Sequence, residues 1–170
     1  MIPFAIALAA AAPAGPAPRI IQCRMMECTW SKPVSNVAIR SAPGGTLRKV
    51  TAVRGRSVYR DDPPSRYHPS VRIEWQKRAS VDYVLCSRTQ PALAFRSGNR
   101  WTAHALDLFN LPGYHTASAI IYLRVCHGVD QDRGDIDEVM RGLGYRPGTR
   151  SDQVGIAKPE QLLDLPRRRR

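Results

Sequence analysis

The sequence predicts a mainly β fold: a single small sandwich or barrel-like sheet of about seven or eight short strands, with one C-terminal helix, stapled by disulfides. Three observations lead there. Short apolar runs recur between turns rich in Pro and Gly. Fourteen prolines and only three phenylalanines in 170 residues argue against long helices. The four cysteines, Cys23, Cys28, Cys86 and Cys126, form an even set. In an exported chain such a set reads as two disulfides.

Residues 1–14 read as a secretory signal. An apolar run of about 11 residues, too short to span a bilayer, ends at Ala12-Pro13-Ala14, whose small residues suit cleavage before Gly15. No Lys or Arg precedes the run, as one would in a standard signal. Residues 15–19 then form a linker, 20–146 the β-rich domain and 147–170 a loosely structured, basic-ended tail.

Within the domain, Cys23 and Cys28 stand five positions apart and so fall on opposite faces of a straight strand. Either the chain bends at Met25-Met26 and they bond each other, or each bonds a different partner. Residues 31–60 read as hairpins, with a short strand at 36–40 and a turn at Ala42-Pro43-Gly44-Gly45. Three prolines between Asp61 and Ser70 exclude a regular ladder there. The alternation of Val71, Ile73 and Trp75 predicts a strand over 71–77.

Residues 81–86 form the clearest strand, with Val81, Tyr83 and Leu85 on one face and Asp82, Val84 and Cys86 on the other. Residues 92–96 and 100–106 flank Ser97-Gly98-Asn99 as a hairpin. A second apolar strand is expected over 117–126, also ending on cysteine. That symmetry favours a Cys86–Cys126 bridge with Cys23–Cys28 as a local loop, although sequence alone allows three connectivities. Residues 134–143 predict the helix, with Asp135 and Glu138 as a capping box, Ile136, Val139, Met140 and Leu143 as its apolar stripe and Gly144 as its stop. One further turn is expected at 159–163.

The net charge of +12 is uneven. From Arg19 to Arg100 there are sixteen Lys or Arg against five Asp or Glu. From Trp101 to Pro166 there are six against nine, and Arg167, Arg168, Arg169 and Arg170 close the chain. Such a field draws polyanions. Arginine also outnumbers lysine by twenty-two to four, a bias that a GC-rich genome produces without any ligand. The candidate polyanion-binding residues are Arg54, Arg56, Arg60 and Arg66, with Arg167, Arg168, Arg169 and Arg170 in the tail.

Catalytic, metal and cofactor signatures are not found. Cys126-His127 cannot form a dyad while both lie in a strand, since neighbours there point to opposite faces. Cys23 and Cys28 have no second close pair, as a zinc site requires. The acidic residues from Asp130 to Glu138 depart from the order of a calcium loop and suit a helix N-terminus instead. No Gly-x-Ser-x-Gly or phosphate-binding loop appears.

The reading that results is a non-catalytic bacterial protein, periplasmic or secreted, that binds an anionic glycan, lipid or envelope protein and, being exported, no nucleic acid. One alternative is a small exported enzyme using a histidine or a free cysteine, where His68, His104 or His115 could approach Cys86 or Cys126. Another is an interaction or inhibitor module anchored by Trp30, Trp75 or Trp101.

Overall fold

A computed structural model describes residues 16–130 and 136–165. The fold is mainly β: one antiparallel sheet of eight strands crossed by two disulfides. Strand β1 (Arg19–Arg24) turns tightly into β2 (Glu27–Ala42), which pairs along its length with β3 (Gly45–Val58). The expected hairpins over 31–60 are thus one long hairpin, turning at Pro43-Gly44. Gly45 there (φ 147°) brings the turn so close to β5 that a Cβ would meet the Cys86 carbonyl oxygen at 2.4 Å.

The far edge of β3 is shared by β4 (Glu74–Trp75) and β5 (Ser80–Cys86). The strand expected over 71–77 shrinks to those two residues of β4. Gly55 makes room for them, since a Cβ there would lie 2.5 Å from Ile73 and 2.6 Å from Trp75. Strands β6 (Ala92–Ser97) and β7 (Arg100–Ala105) form the expected hairpin. Residues 147–165, expected to be loose, supply β8 (Asp152–Ile156), which pairs with β7, and a 3₁₀ helix at Pro159–Asp164.

The largest correction concerns residues 117–126. They form a helix, α1 (Thr116–His127), and not a second core strand. Ile120, Ile121 and Val125 favour a strand locally. The burial pattern is helical: Ala119, Tyr122 and Leu123 are fully buried, with Cys126 packed beside them. Gly128 ends α1 in the left-handed region (φ 68°), with its N–H bonded to Arg124 O at 3.0 Å, which is a helix stop. The predicted helix is present as α2 (Ile136–Gly142). Asp135, its expected cap, lies outside the described residues.

The disulfides join the expected pairs. Cys23 and Cys28 stand opposite each other across β1 and β2, because the chain bends at Met25-Met26. Cys86–Cys126 ties the end of β5 to the last turn of α1. Both suit an oxidising, extracellular environment. Among the described residues no helix is long and apolar enough to cross a membrane.

The sheet is covered on both sides. On one face α1 and α2 pack Ala119, Tyr122, Leu123 and Met140 against Val50, Val84 and Leu93. On the other the 3₁₀ helix packs Leu162 against Leu47, Leu85, Ala94 and Ala103. Successive side chains of a strand point to opposite faces, so away from the strand ends each face carries its own surface.

Candidate functional site

The face covered by α1 opens, beside the helix's first turn, into a groove of about 560 Å³. Arg54 and Asp82 meet at its floor as an ion pair whose side chains are 16% and 9% exposed. Arg54 Nε also bonds Ser80 Oγ at 3.2 Å. Burial raises the Asp82 carboxyl above its usual range, although the neighbouring Arg54 pulls it the other way. Arg56 lines the same groove and bonds Glu27 at 2.8 Å. The two sequence-named arginines that come together are therefore each matched by a carboxylate. The Arg54 charge is largely spent inside the molecule, whereas the Arg56 charge is shared with Glu27 at the surface.

Beyond them the groove meets a histidine cluster. His104, on β7, bonds Ser118 Oγ through Nδ1 at 2.9 Å and Gln153 Oε1 through Nε2 at 3.2 Å. Gln153 Oε1 can only accept, so Nε2 carries the ring proton and Nδ1 accepts from the Ser118 hydroxyl. A carboxylate behind the ring would stabilise an imidazolium, whereas a neutral amide stands there. Burial moreover holds His104 below its ordinary pKa. The arrangement acts as a fastener, joining the first turn of α1 to β7 and β8. His115, fully buried 4.2 Å from the His104 ring, is pushed down to about 4 by burial and by that ring.

A second polar network joins α1 to α2's exit. Tyr122 Oη bonds Tyr145 Oη at 2.6 Å, donates to the Ser87 carbonyl at 2.9 Å and accepts from the Ser87 N–H at 3.2 Å. His127 Nε2 bonds Tyr145 Oη at 2.7 Å. This network braces the Cys86–Cys126 bridge from both flanking strand and helix.

The opposite face is arranged differently. Tyr83 of β5 and Trp101 of β7 meet edge to face, with ring centroids 5.3 Å apart. The Arg96 guanidinium lies 5.3 Å from the Trp101 ring centroid, held by cation–π attraction. Two open depressions flank Trp101. One, of about 460 Å³, is lined by Lys49, Val81, Tyr83, Arg96 and Trp101. The other, of about 340 Å³, is lined by Arg96, Asn99, Arg100, Trp101 and Ile156. Among the described residues, neither Lys49, Arg96 nor Arg100 is paired with a carboxylate. Arg96, at the end of β6, also reaches the rim of the groove on the helix side.

The remaining sequence candidates are dispersed. Arg60 and Arg66 are exposed in the segment after β3 and line neither the groove nor the depressions. Arg167, Arg168, Arg169 and Arg170 lie outside the described residues. Trp30 is fully buried, donating to Ser57 Oγ at 2.7 Å, and serves as core. Trp75 is 37% exposed. His68 is exposed and bonds its neighbour Ser70.

Sequence reasoning missed Lys49 and Arg96 because their grouping depends on cross-strand register. Lys49 stands opposite Tyr83, Tyr83 opposite Ala94, and Arg96 opposite Trp101. The alternation through Tyr83 was the one available signal. Comparison of the chain with protein-family models, curated proteins and solved structures returns no match.

Proposed function

We propose that this is a non-catalytic binding protein of an extracytoplasmic compartment, periplasmic or secreted, and that it holds an anionic glycan across Trp101. The observation that carries the reading is the placement of Lys49 and Arg96, which have no carboxylate partner among the described residues, around the Tyr83–Trp101 pair, with Arg100 at the edge of the second depression. Arg96 is already held against an indole, so little of its rotamer freedom is lost when an anion arrives. Two depressions on either side of one aromatic wall suit a chain of repeating units that offers an anionic group to each. Sugars supply this repeat, with hydroxyls for Asn99 and ring C–H groups for the aromatic surface. The disulfides and the sequence-predicted signal at residues 1–14 support the compartment.

The test is titration with a heparin-derived octasaccharide and with uncharged dextran of similar length, in low salt. The octasaccharide binds and dextran does not. Trp101→Ala removes the support for Arg96 and weakens binding about tenfold, the scale of one cation–π contact. Unchanged affinity in that variant, or equal binding of dextran, contradicts the proposal. Preference for anionic vesicles over the octasaccharide would assign the surface to lipid instead.

A further inference from the structure

The turn between β1 and β2 holds two methionines where hairpin geometry calls for asparagine and glycine. Arg24 pairs with Glu27, leaving Met25 and Met26 as a two-residue loop. Both have positive φ, 48° and 63°, the pattern of a type I′ turn. No other non-glycine residue among those described adopts a positive φ. A long side chain in this region is strained, and two in succession compound the strain. The surroundings hold the turn in place. The Cys23–Cys28 bridge crosslinks the strands directly behind it, and the Tyr59 N–H bonds the Met26 carbonyl at 2.9 Å.

Neither methionine is buried in the core. Met25 is 92% exposed and Met26 50%, and Val58, which pairs with Glu27 on β3, is 79% exposed. A braced turn that carries apolar side chains into solvent at a conformational cost points outward to a function. Thioether side chains adapt to irregular apolar pockets, and a pre-set turn reduces what is lost when they are immobilised.

We propose that the Met25-Met26 tip is a docking knob for a partner protein, and that it enters an apolar pocket with an acidic rim. Charge complementarity sets the rim. Arg24, on the shoulder of the turn, has no carboxylate partner among the described residues, whereas Glu27 opposite it is engaged by Arg56. A bilayer would also accept methionine and valine, but it gains nothing from a rigid turn, so the brace favours a protein pocket. This surface is separate from the Tyr83–Trp101 face, and the two proposals stand or fall independently.

A benzophenone amino acid in place of Val58 leaves the knob intact and probes its surroundings in the native cell. A single protein adduct is expected, mapping to an apolar pocket bordered by Asp or Glu, and the purified pair binds. In that assay M25N/M26G is the decisive variant, because it supplies the residues the turn prefers and removes the knob. It should raise the melting temperature while weakening the complex at least tenfold. Adducts with lipid alone, no adduct, retained binding by M25N/M26G, or a lower melting temperature in that variant each overturn the proposal.

Discussion

On the helix-covered face of the sheet, Arg54 meets Asp82 and Arg56 meets Glu27; on the other face Arg96 lies against Trp101, and neither it nor Lys49 has a carboxylate partner among the described residues. Both faces are basic when counted along the chain. Of the cations at the two candidate sites, Lys49 and Arg96 are the ones whose charge is available to a ligand. The difference shows why a net charge of +12 is a poor guide to a binding surface: what matters is which cations the fold leaves without an acid. The first face uses charge to position β3 against β5, and the second keeps it for an arriving anion.

If that division is right, removing a charge from the covered face costs stability and leaves binding alone. Second only to loss of the Cys86–Cys126 bridge, a large effect is expected from Asp82→Ala. It strands the Arg54 guanidinium, whose side chain is 16% exposed, and breaking such a pair costs about 3 kcal/mol, at the low end for buried pairs because some solvent reaches it. Urea denaturation measures the loss. Octasaccharide affinity should stay within twofold, and a large affinity loss in a folded variant would place the ligand in the groove.

The disulfides sharpen the same contrast, since Cys86–Cys126 ties α1 to the covered face. It closes a 40-residue separation, and replacing both cysteines with serine should cost about 4 kcal/mol by loop-closure entropy. The same change at Cys23 and Cys28, 5 residues apart, should cost about 2 kcal/mol. Equal or reversed losses would mean that α1 is held by packing, with the bridge incidental.

Acid should also act through the covered face. His115 binds a proton near 6.5 when unfolded and near 4 when folded, so the unfolded state takes up protons first as the pH falls. Stability is full above about 6.5, declines towards about 4 and levels off below that, by at most about 3 kcal/mol. His104 and His127, also lowered by burial, act in the same direction. Asp82 acts in the opposite direction, because its raised pKa lets the folded state bind a proton first. Denaturation midpoints at pH 7 and 4.5 test the balance. A protein equally stable at both would mean that the histidine cluster is hydrated.

Much of this was legible in the sequence, and the gaps have physical causes. Alternation found β5, and the Gly98-Asn99 turn found the β6–β7 hairpin, because both are local signals. The cysteine pairing was anticipated, though for Cys86–Cys126 the reason was wrong: Cys126 reaches Cys86 from the last turn of a helix, not from a neighbouring strand. In α1, β-branched residues outweighed a helical spacing that Ala119, Tyr122, Leu123 and Cys126 spell out, with Gly128 as its stop. Strand β8 was missed because an edge strand of five residues, with none buried, leaves hardly any apolar pattern. The candidate site was least legible. Arg54 and Arg56 stand out as charges in sequence, but their acids lie 28 and 29 residues away, and only the register brings them together.

The most direct test of this division is a pair of charge-matched reversals eluted from heparin with a salt gradient. K49E/R96E alters the open face, and R56E/R72E makes the same change in net charge at two other exposed positions, Arg56 at the groove and Arg72 just before β4. K49E/R96E should elute at much lower salt than the wild type, while R56E/R72E shifts only slightly, by the general loss of charge. Equal shifts in the two variants would mean that net charge alone governs binding, and a larger shift in R56E/R72E would place the ligand on the other face.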